Sequence, residues 1–252
     1  MECVSQSIYS GRRKKIKGAA AANKSIMGRP DKNQVAWHVK SFPKGVKDAL
    51  DFLGGQEWLK GRHWYLAGGT ALAMYEGHRV SLDLDFFTSR KTFQPREVLV
   101  HLQDNDWTVD IAEPGTVYAS FAGTKVSFIA YPFFVSKEKM ERYGSANILN
   151  PRDIAVMKII AISQRGRKRD FVDLYWYVKK HEPLADVLRR LPDQYPTVAH
   201  DYHHILKSLM YFADAKEDPM PKVFFKTTWR EIKAYFTREV PKITKEFLQL
   251  FS

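Results

Sequence analysis

The sequence predicts an α+β fold, in which a small mixed sheet with flanking helices is followed by an all-helical C-terminal region. Alternating apolar and polar residues mark strands at Trp64–Ala67 and Ser81–Phe86, with three more between residues 107 and 134. After Asn150 this pattern gives way to apolar residues at helical spacing. At 252 residues, of which 44% are hydrophobic, the chain is long enough to bury a packed core.

The first half of the chain combines helices with short strands. Residues 41–55 have helical spacing, with Ser41 as the cap, Pro43 in the first turn and two glycines as the stop. A second helix is expected at residues 94–105. Three strands follow, with the sequences WTVDIAE, TVYASFA and TKVSFIAYPFF, and the turns between them contain Pro114-Gly115 and Gly123.

The second half reads as consecutive helices. Pro151 takes the first turn of the helix that continues as DIAVMKIIAISQR, and a basic link leads to the helix RDFVDLYWYVKK. Further helices are predicted at residues 184–191, 197–213, 229–239 and 242–251, separated by prolines. We therefore expect a basic tail at residues 1–34, an α/β domain at 35–147, and a helical domain at 148–252 that completes the active site.

The formal charge of +12 is concentrated at the start, where residues 1–34 hold eight Lys or Arg against two acids. A basic chain favours a polyanionic partner such as RNA or nucleotides, although a merely soluble basic surface would look the same. The tail either contacts nucleic acid or is a solvated extension. The single cysteine, Cys3, precludes an internal disulfide, and no apolar run is long enough to span a bilayer. We expect a cytoplasmic protein with no membrane partner.

The stretch from Leu66 to Phe87 carries the candidate chemistry. Gly68 and Gly69 form a strand-to-helix turn and Thr70 opens the helix, whose first amide groups are free to bind a phosphate. In the following strand the residues at positions 81, 83 and 85 share one face, while Leu82, Leu84 and Phe86 share the core face. Two carboxylates about 6–7 Å apart on a strand suit Mg²⁺ with substrate phosphates as its remaining ligands.

Two sequence motifs together resemble a known family. The pattern GG-T-x-L followed by HR-x-S-x-D-x-D-F, with Lys158 and KRDFVDLY further on, resembles the AbiEii/AbiGii toxin family of nucleotidyltransferases, within the wider fold of polymerase beta and the MenT toxins. The resemblance covers residues 35–178. It implies an Mg²⁺-dependent enzyme that transfers a nucleotide from an NTP to an acceptor, which for members similar to the MenT toxins is the 3′ end of a tRNA. It also implies a type IV-like toxin–antitoxin or phage-defence system, with a cognate antitoxin that can be a DNA-binding protein.

The resemblance implies a role for each matching residue. Asp83 and Asp85 are the expected Mg²⁺ ligands, and with Lys158 they form the expected catalytic set. The expected nucleotide contacts come from both halves of the chain: Gly68, Gly69, Thr70, Arg79, Ser81, Lys158, Arg165, Asp170 and Asp173.

Several of these assignments have structural alternatives. Lys158 can extend from an apolar helix to solvent, and His78 and Arg79 can cap a helix instead of contacting substrate. Asp170 and Asp173 can anchor the lysine, approach the nucleotide, or be exposed acids that pair with Lys168 or Arg169. The aromatic residues of FFKTTWREIKAYF can stack on RNA bases, although aromatic residues at this spacing more often belong to the core.

One departure from related nucleotidyltransferases concerns a third carboxylate on a later strand. The equivalent stretch here, TKVSFIAY, offers Ser127, and Asp110 on the preceding strand is a poor substitute by register. Either one metal suffices, or Asp170 or Asp173 contributes, or activity is reduced. A non-catalytic protein that binds nucleic acid or a partner through the same fold is therefore the alternative function.

Overall fold

A computed structural model describes residues 35–61, 63–102 and 107–250, so the basic tail lies outside the described residues. The described chain has an α+β fold, which confirms the predicted class. None of the helices in these ranges is long and apolar enough to cross a membrane.

The centre of the fold is a seven-stranded mixed sheet with the order β3-β4-β5-β2-β1-β7-β6. The strands are β1 (Tyr65–Ala67), β2 (Asp83–Thr88), β3 (Trp107–Glu113), β4 (Thr116–Phe121), β5 (Thr124–Ala130), β6 (Glu141–Tyr143) and β7 (Ala146–Ile148). Strand β2 runs antiparallel to β1 and parallel to β5. This arrangement makes β2, which carries the two candidate aspartates, the central strand of the sheet.

Helices pack against this sheet and against one another. They are α1 (Lys44–Gly54), α2 (Gly68–Glu76), α3 (Arg96–Leu99), α4 (Pro151–Arg165), α5 (Lys168–Lys180), α6 (Leu184–Arg189), α7 (Leu191–Gln194), α8 (Tyr202–Ser208) and α9 (Trp229–Leu250). Helix α4 contacts both α2 and α5. It therefore links the sheet half of the molecule to the helical half, although the division at residue 147 remains a prediction.

Two expectations for the first half were wrong in detail. Helix α1 begins at Lys44, not Ser41, because Pro43 restrains the residue before it to an extended backbone, and the Ser41 hydroxyl instead donates to the His38 carbonyl at 3.1 Å. The helix expected over residues 94–105 is only the short α3, and part of that range lies outside the described residues.

Strand β2 begins at Asp83, two residues later than expected. Leu84 and Phe86 are fully buried as predicted, but Leu82 is 60% exposed. Leu82 precedes the paired part of the strand, so the alternation of faces does not yet apply to it. The core face of β2 is therefore shorter than the sequence suggested.

The C-terminal helices also differ from expectation. Residues 229–250 form one helix, α9, that continues through Pro241 instead of two helices separated there. A proline inside a helix costs about 3 kcal/mol. The cost is offset because one apolar stripe is buried on both sides of it: Ile232, Phe236, Val240, Ile243 and Phe247. The helix expected over residues 197–213 is limited to α8, and that expected over 184–191 ends at Arg189 as α6.

Candidate active site

A cavity of about 270 Å³ lies where β2, the start of α2 and one face of α4 meet. Its lining combines the glycine turn, the two strand aspartates and four cationic side chains: Gly68, Gly69, Thr70, Arg79, Ser81, Asp83, Asp85, Phe87, Ile129, Tyr131, Met157, Lys158, Ala161, Gln164, Arg165 and Arg169. The lining thus holds four cations and two carboxylates. Two buried acids behind the wall, Asp170 and Asp173, pair with three of these cations, so the whole cluster carries no surplus charge. A ligand in the cavity would meet cationic side chains at the wall together with two carboxylates that can hold a metal.

The two glycines at the start of α2 are required for different reasons. Gly68 has a φ of +67°, which only glycine adopts freely. Gly69 has no such angle, but a Cβ there would lie 1.9 Å from Nη2 of Arg79. The helix already begins at Gly68 and not at Thr70 as expected. Gly69 thus leaves space for a guanidinium group directly over the first turn of the helix.

Thr70 and Ser81 connect this helix start to the beginning of β2. The Thr70 hydroxyl donates to the Asp83 carbonyl and lies 2.8 Å from the Ser81 hydroxyl. Both side chains are buried, with 2% and 6% exposure. The Thr70 hydroxyl therefore holds the start of β2, and with it Asp83, next to the glycine turn.

Asp83 and Asp85 both face the cavity from β2 and have few partners. Nη1 of Arg169 lies 3.0 Å from Oδ2 of Asp83. Ser127, which is opposite Asp85 on β5, donates to Oδ1 of Asp85 at 2.6 Å. Ser127, the residue predicted at the position of the missing third acid, is thus in contact with Asp85, whereas Asp110 lies on the edge strand β3, separated from β2 by β4 and β5.

Lys158 points into the cavity from α4 and is only 4% exposed. Its ammonium lies 2.7 Å from Oδ1 of Asp170 and 2.6 Å from Oδ2 of Asp173. Both acids are fully buried on α5, so neither is the exposed helix acid that one interpretation suggested. The same acids do not line the cavity. They lie behind the lysine and hold it there.

Asp173 pairs with two cations, Lys158 and Arg79. Nε and Nη2 of Arg79 lie 2.5 Å and 2.8 Å from its two oxygens, in the bidentate geometry that arginine forms with carboxylates. Burial on its own would raise the pKa of Asp173, but the charges of Arg79 and Lys158 outweigh it and hold the pKa well below 3.8. Arg79 is therefore a buried partner of Asp173 that also reaches the cavity wall, and not a helix cap.

His78 contacts the same carboxylate as Arg79. Its Nε2 lies 2.8 Å from Oδ1 of Asp173, and its ring stacks on Trp176 with centroids 5.8 Å apart. Burial is the main influence on the pKa of His78 and lowers it below 6.5, against the opposing effect of Asp173. A neutral His78 must donate from Nε2, since a carboxylate only accepts.

Arg165 links the buried cluster to solvent at the end of α4. Its Nε and Nη2 lie 3.0 Å and 3.3 Å from the two oxygens of Asp170, while half of its side chain is exposed. The charge of Lys158 helps to hold the pKa of Asp170 below its ordinary value against burial, which acts in the opposite direction. Two buried acids thus fix three cations, Arg79, Lys158 and Arg165, at the cavity wall.

Sequence reasoning missed part of the lining. Arg169 was considered only as a surface partner for the helix acids, yet it pairs with Asp83. Phe87, Tyr131 and Gln164 also line the cavity. Phe87 lies two residues beyond Asp85 on the same face of β2, so the alternation that selected the aspartates could have identified it; the other two lie on elements distant in sequence.

The aromatic residues near the C-terminus mainly form packing contacts. Trp229 lies edge-to-face with Phe171 at 5.8 Å, and Phe236 is fully buried. Phe224, by contrast, is 49% exposed. This segment supports the helical half of the molecule more than it offers a surface for base stacking.

The sequence of this chain matches the model of a known protein family. The model for the nucleotidyl transferase AbiEii toxin of a type IV toxin–antitoxin system matches residues 57–130 and 145–252. An uncharacterized protein of Aquifex aeolicus (strain VF5) is 35% identical over 193 residues, which span 74% of this chain and 88% of that protein.

Two solved structures show weaker similarity. JHP933 from Helicobacter pylori is 18% identical with a TM-score of 0.49, covering 83% of this chain and 96% of its own. The nucleotidyltransferase toxin MenT4 from Mycobacterium tuberculosis H37Rv is 12% identical with a TM-score of 0.47, covering 78% of this chain and 82% of its own. Similarity at this level supports no inference about activity.

Proposed function

This chain belongs to the AbiEii family of nucleotidyl transferase toxins, and we propose that it transfers a nucleotide from an NTP to the 3′ end of an RNA, with tRNA as the acceptor. The observation that carries the proposal is the pair Asp83 and Asp85, which faces a cation-lined cavity directly beside a glycine turn. The cationic side chains at its wall suit a triphosphate. The two carboxylates would not be needed in a site for phosphate alone, but they are the ligands that Mg²⁺ requires.

The triphosphate is assigned to the side of the cavity formed by the start of α2. The first amide groups of a helix lack intrahelical partners and carry the positive end of its dipole. Gly69 and Thr70 provide these amides, and the lining cations Lys158 and Arg79 provide full charges. Lys158 is held by two buried acids, so it offers this charge without reorganising.

The donor set at Asp83 and Asp85 fits Mg²⁺. Among the described residues, no group of three or more His, Cys, Asp or Glu side chains is arranged to hold a metal. Two carboxylates with substrate phosphates completing the shell are the usual protein contribution to an Mg²⁺ site. When bound, the metal would neutralise charge on the phosphates and on the attacking oxygen.

The residues of the chain orient the two reactants around this pair. The acceptor hydroxyl oxygen forms a new bond to the α-phosphorus, the bond to the β-phosphate breaks in line, and pyrophosphate and a proton are released. Ser127 fixes Oδ1 of Asp85 by a hydrogen bond, which leaves Oδ2 on the side of Gly68 and the cavity. Arg165 extends the cationic wall toward the leaving pyrophosphate.

A basic groove supports a polyanionic acceptor. This groove of about 560 Å³ shares Arg79, Ser81 and Arg169 with the cavity and continues past Arg167 and Lys222. Phosphate contacts from arginine and lysine provide most of the affinity for a nucleic acid backbone. An RNA whose backbone lies in this groove could bring its terminal hydroxyl to Asp83 and Asp85.

The family also motivates proposals about context. Its description as the toxin of a type IV system favours a cognate antitoxin, which can be a DNA-binding protein encoded beside this chain, in a toxin–antitoxin or phage-defence role. NTPs and tRNA are substrates of the cytoplasm, so the reaction belongs there.

The direct test supplies the purified protein with Mg²⁺, each labelled NTP in turn and total RNA. We expect label in the tRNA fraction, lost on omission of Mg²⁺ and in Asp85→Asn. Label in protein or small molecules would show that the acceptor is not an RNA. No transfer with any NTP would contradict the proposal.

One observation favours the alternative of a non-catalytic binding protein. Ser127, and not a third acid, lies opposite Asp85 on β5. If the protein bound RNA with equal affinity in the wild type and in Asp85→Asn, and transferred no nucleotide in either, the binding function would be the better conclusion.

A further inference from the structure

A second recess, of about 360 Å³, opens directly from the cavity at the end away from the basic groove. Tyr131 and Gln164 line both spaces, so a ligand can extend from one into the other. We call this space the aromatic recess; its other principal lining residues are Phe133, Tyr195 and His200. The proposed function uses the cavity and the basic groove but leaves this recess without a role.

Aromatic rings form one side of the recess and are held in place. Tyr131 lies edge-to-face with Phe133 at 6.0 Å and with Tyr195 at 6.2 Å, and its hydroxyl donates to that of Tyr195 at 3.3 Å. Phe133 is nevertheless 50% exposed. A large ring that stays exposed beside a fixed aromatic cluster offers a face on which a planar ligand can stack.

The polar groups of the recess are suited to hydrogen bonding with a neutral ligand. The side-chain amide of Gln164 makes no hydrogen bond within the described protein and can both donate and accept. His200 donates from Nε2 to the Tyr195 carbonyl at 3.1 Å, which leaves its Nδ1 as a buried acceptor without a partner. Buried polar atoms are rarely left unsatisfied, and an amino group in the recess would offer this nitrogen a donor.

The charge of the recess excludes a phosphate as its natural occupant. Among the described residues its lining contains no Lys or Arg, and it includes the carboxylate of Asp201. The adjoining cavity, in contrast, is lined by Arg79, Lys158, Arg165 and Arg169. A nucleotide that spans the two spaces would therefore keep its phosphates in the cavity and place its uncharged end in the recess.

We propose that the aromatic recess binds a nucleobase, which stacks on Phe133 and forms hydrogen bonds with Gln164. The inference rests on the proposed function, because it takes the adjoining cavity as the triphosphate site. The base can come from the NTP or from the terminal nucleotide of the acceptor. In either case the recess contacts the base, while the cations of the cavity contact the phosphates.

The test compares binding of each NTP with binding of inorganic triphosphate, measured by calorimetry without turnover. The variants are Phe133→Ala and Gln164→Ala, both at exposed positions, and the control is Tyr211→Ala, which removes a ring that is 53% exposed and outside the recess. We expect Phe133→Ala to weaken the preferred NTP about tenfold, with inorganic triphosphate unchanged. Gln164→Ala should reduce the preference among the four NTPs.

The acceptor arm of the test is the KM for RNA in the transfer assay. A raised KM for RNA with unchanged NTP affinity would keep the recess as a base site but assign it to the acceptor. Equal affinity for NTP and unchanged KM for RNA in both variants would overturn the proposal. An equal loss for NTP and inorganic triphosphate would also overturn it, since the change would then lie in the phosphate site. Failure of the wild type to bind any NTP would contradict the proposed function instead.

Discussion

Two pairs of aspartates lie close together in this molecule and differ in almost every respect except their chemistry. Asp83 and Asp85 lie on a strand, face a cavity and have one partner each, Arg169 and Ser127. Asp170 and Asp173 lie on a helix, are fully buried and are surrounded by cations.

The difference shows how the same side chain serves two purposes. A buried carboxylate is tolerated only when it is paired and hydrogen-bonded, so the helix pair is committed to its partners. The strand pair retains unused oxygens at a wall lined by cationic side chains. Asp170 and Asp173 are held in position and hold the cations around them. Asp83 and Asp85 remain able to bind a ligand.

The largest expected effect is on activity, through the strand pair. Asp83→Ala and Asp85→Ala should each lower nucleotide transfer about 10⁴-fold, since a bound metal contributes several kcal/mol to transition-state stabilisation. Their melting temperatures should be unchanged or slightly higher, because removing one of two facing acids relieves repulsion.

The matched control is Asp110→Ala, which removes an exposed strand aspartate from β3. It should keep both activity and stability. A large fall in melting temperature in Asp83→Ala would show that the strand pair is structural after all.

The next effect is on stability, through the helix pair. Asp173→Ala should lower the free energy of unfolding by about 3–5 kcal/mol, because it leaves Arg79 and Lys158 buried with one fewer counter-charge. Urea unfolding measures the loss, with Asp186→Ala, at a half-exposed position, as control. If both variants unfolded at the same urea concentration, the buried network would not stabilise the fold.

A smaller effect is expected where the helix pair approaches the glycine turn. Gly69→Ala should destabilise the protein by about 1–3 kcal/mol, because the new Cβ would overlap the guanidinium of Arg79 and require it to move. Gly61→Ala is the control, as its Cβ would meet nothing closer than 3.7 Å. Equal melting temperatures for the two variants would exclude the steric explanation.

The buried cluster also predicts the direction of pH dependence. His78 has a lowered pKa, so the unfolded chain takes up its proton first, and stability should fall as pH drops below 6.5. Asp173, with a pKa well below 3.8, adds a further loss only in more acidic solution. Unfolding measured between pH 5 and 7.5 should be less pH-dependent in His78→Gln than in the wild type. Stability that rose on acidification would contradict the neutral state of His78.

The smallest effect concerns the contact between the strand pair and Arg169. Because the ion pair with Asp83 is half exposed, Arg169→Gln should change stability by no more than about 1 kcal/mol. It should also lower the Mg²⁺ concentration needed for half-maximal transfer by about two- to fivefold, since a competing cation is removed. Arg167→Gln, which loses a pair with Asp218 instead, should leave the Mg²⁺ requirement unchanged. Identical Mg²⁺ titrations for the wild type and both variants would show that Arg169 does not compete with the metal.

The parts of the fold that sequence predicted best are those with repeated local patterns. The three strands β3 to β5 and the helix from Pro151 to Arg165 have periodic apolar residues and clear turn residues at their ends. Strands β6 and β7 have only three residues each, which is too short for a period to be recognised. Pro241 misled the prediction because local proline chemistry was outweighed by tertiary packing of the stripe around it.

The candidate site was predicted unevenly for a similar reason. The glycine turn and the aspartates are neighbours in sequence, so alternation and turn chemistry were enough to bring them together. Neither pattern predicts that Asp173 binds Arg79, because the two residues are 94 positions apart in the sequence. The reason for a glycine at position 69 was also hidden, because it depends on a side chain ten residues away, in the segment between α2 and β2.

The contact between Gly69 and Arg79 means that substitutions at positions 69, 79 and 173 depend on one another. A larger residue at position 69 would require a smaller one at position 79, and that change would leave the carboxylate of Asp173 without its bidentate partner. Single substitutions at any of the three are therefore harmful in a background that keeps the other two. We expect strong epistasis among them, so that related chains change these positions together or not at all.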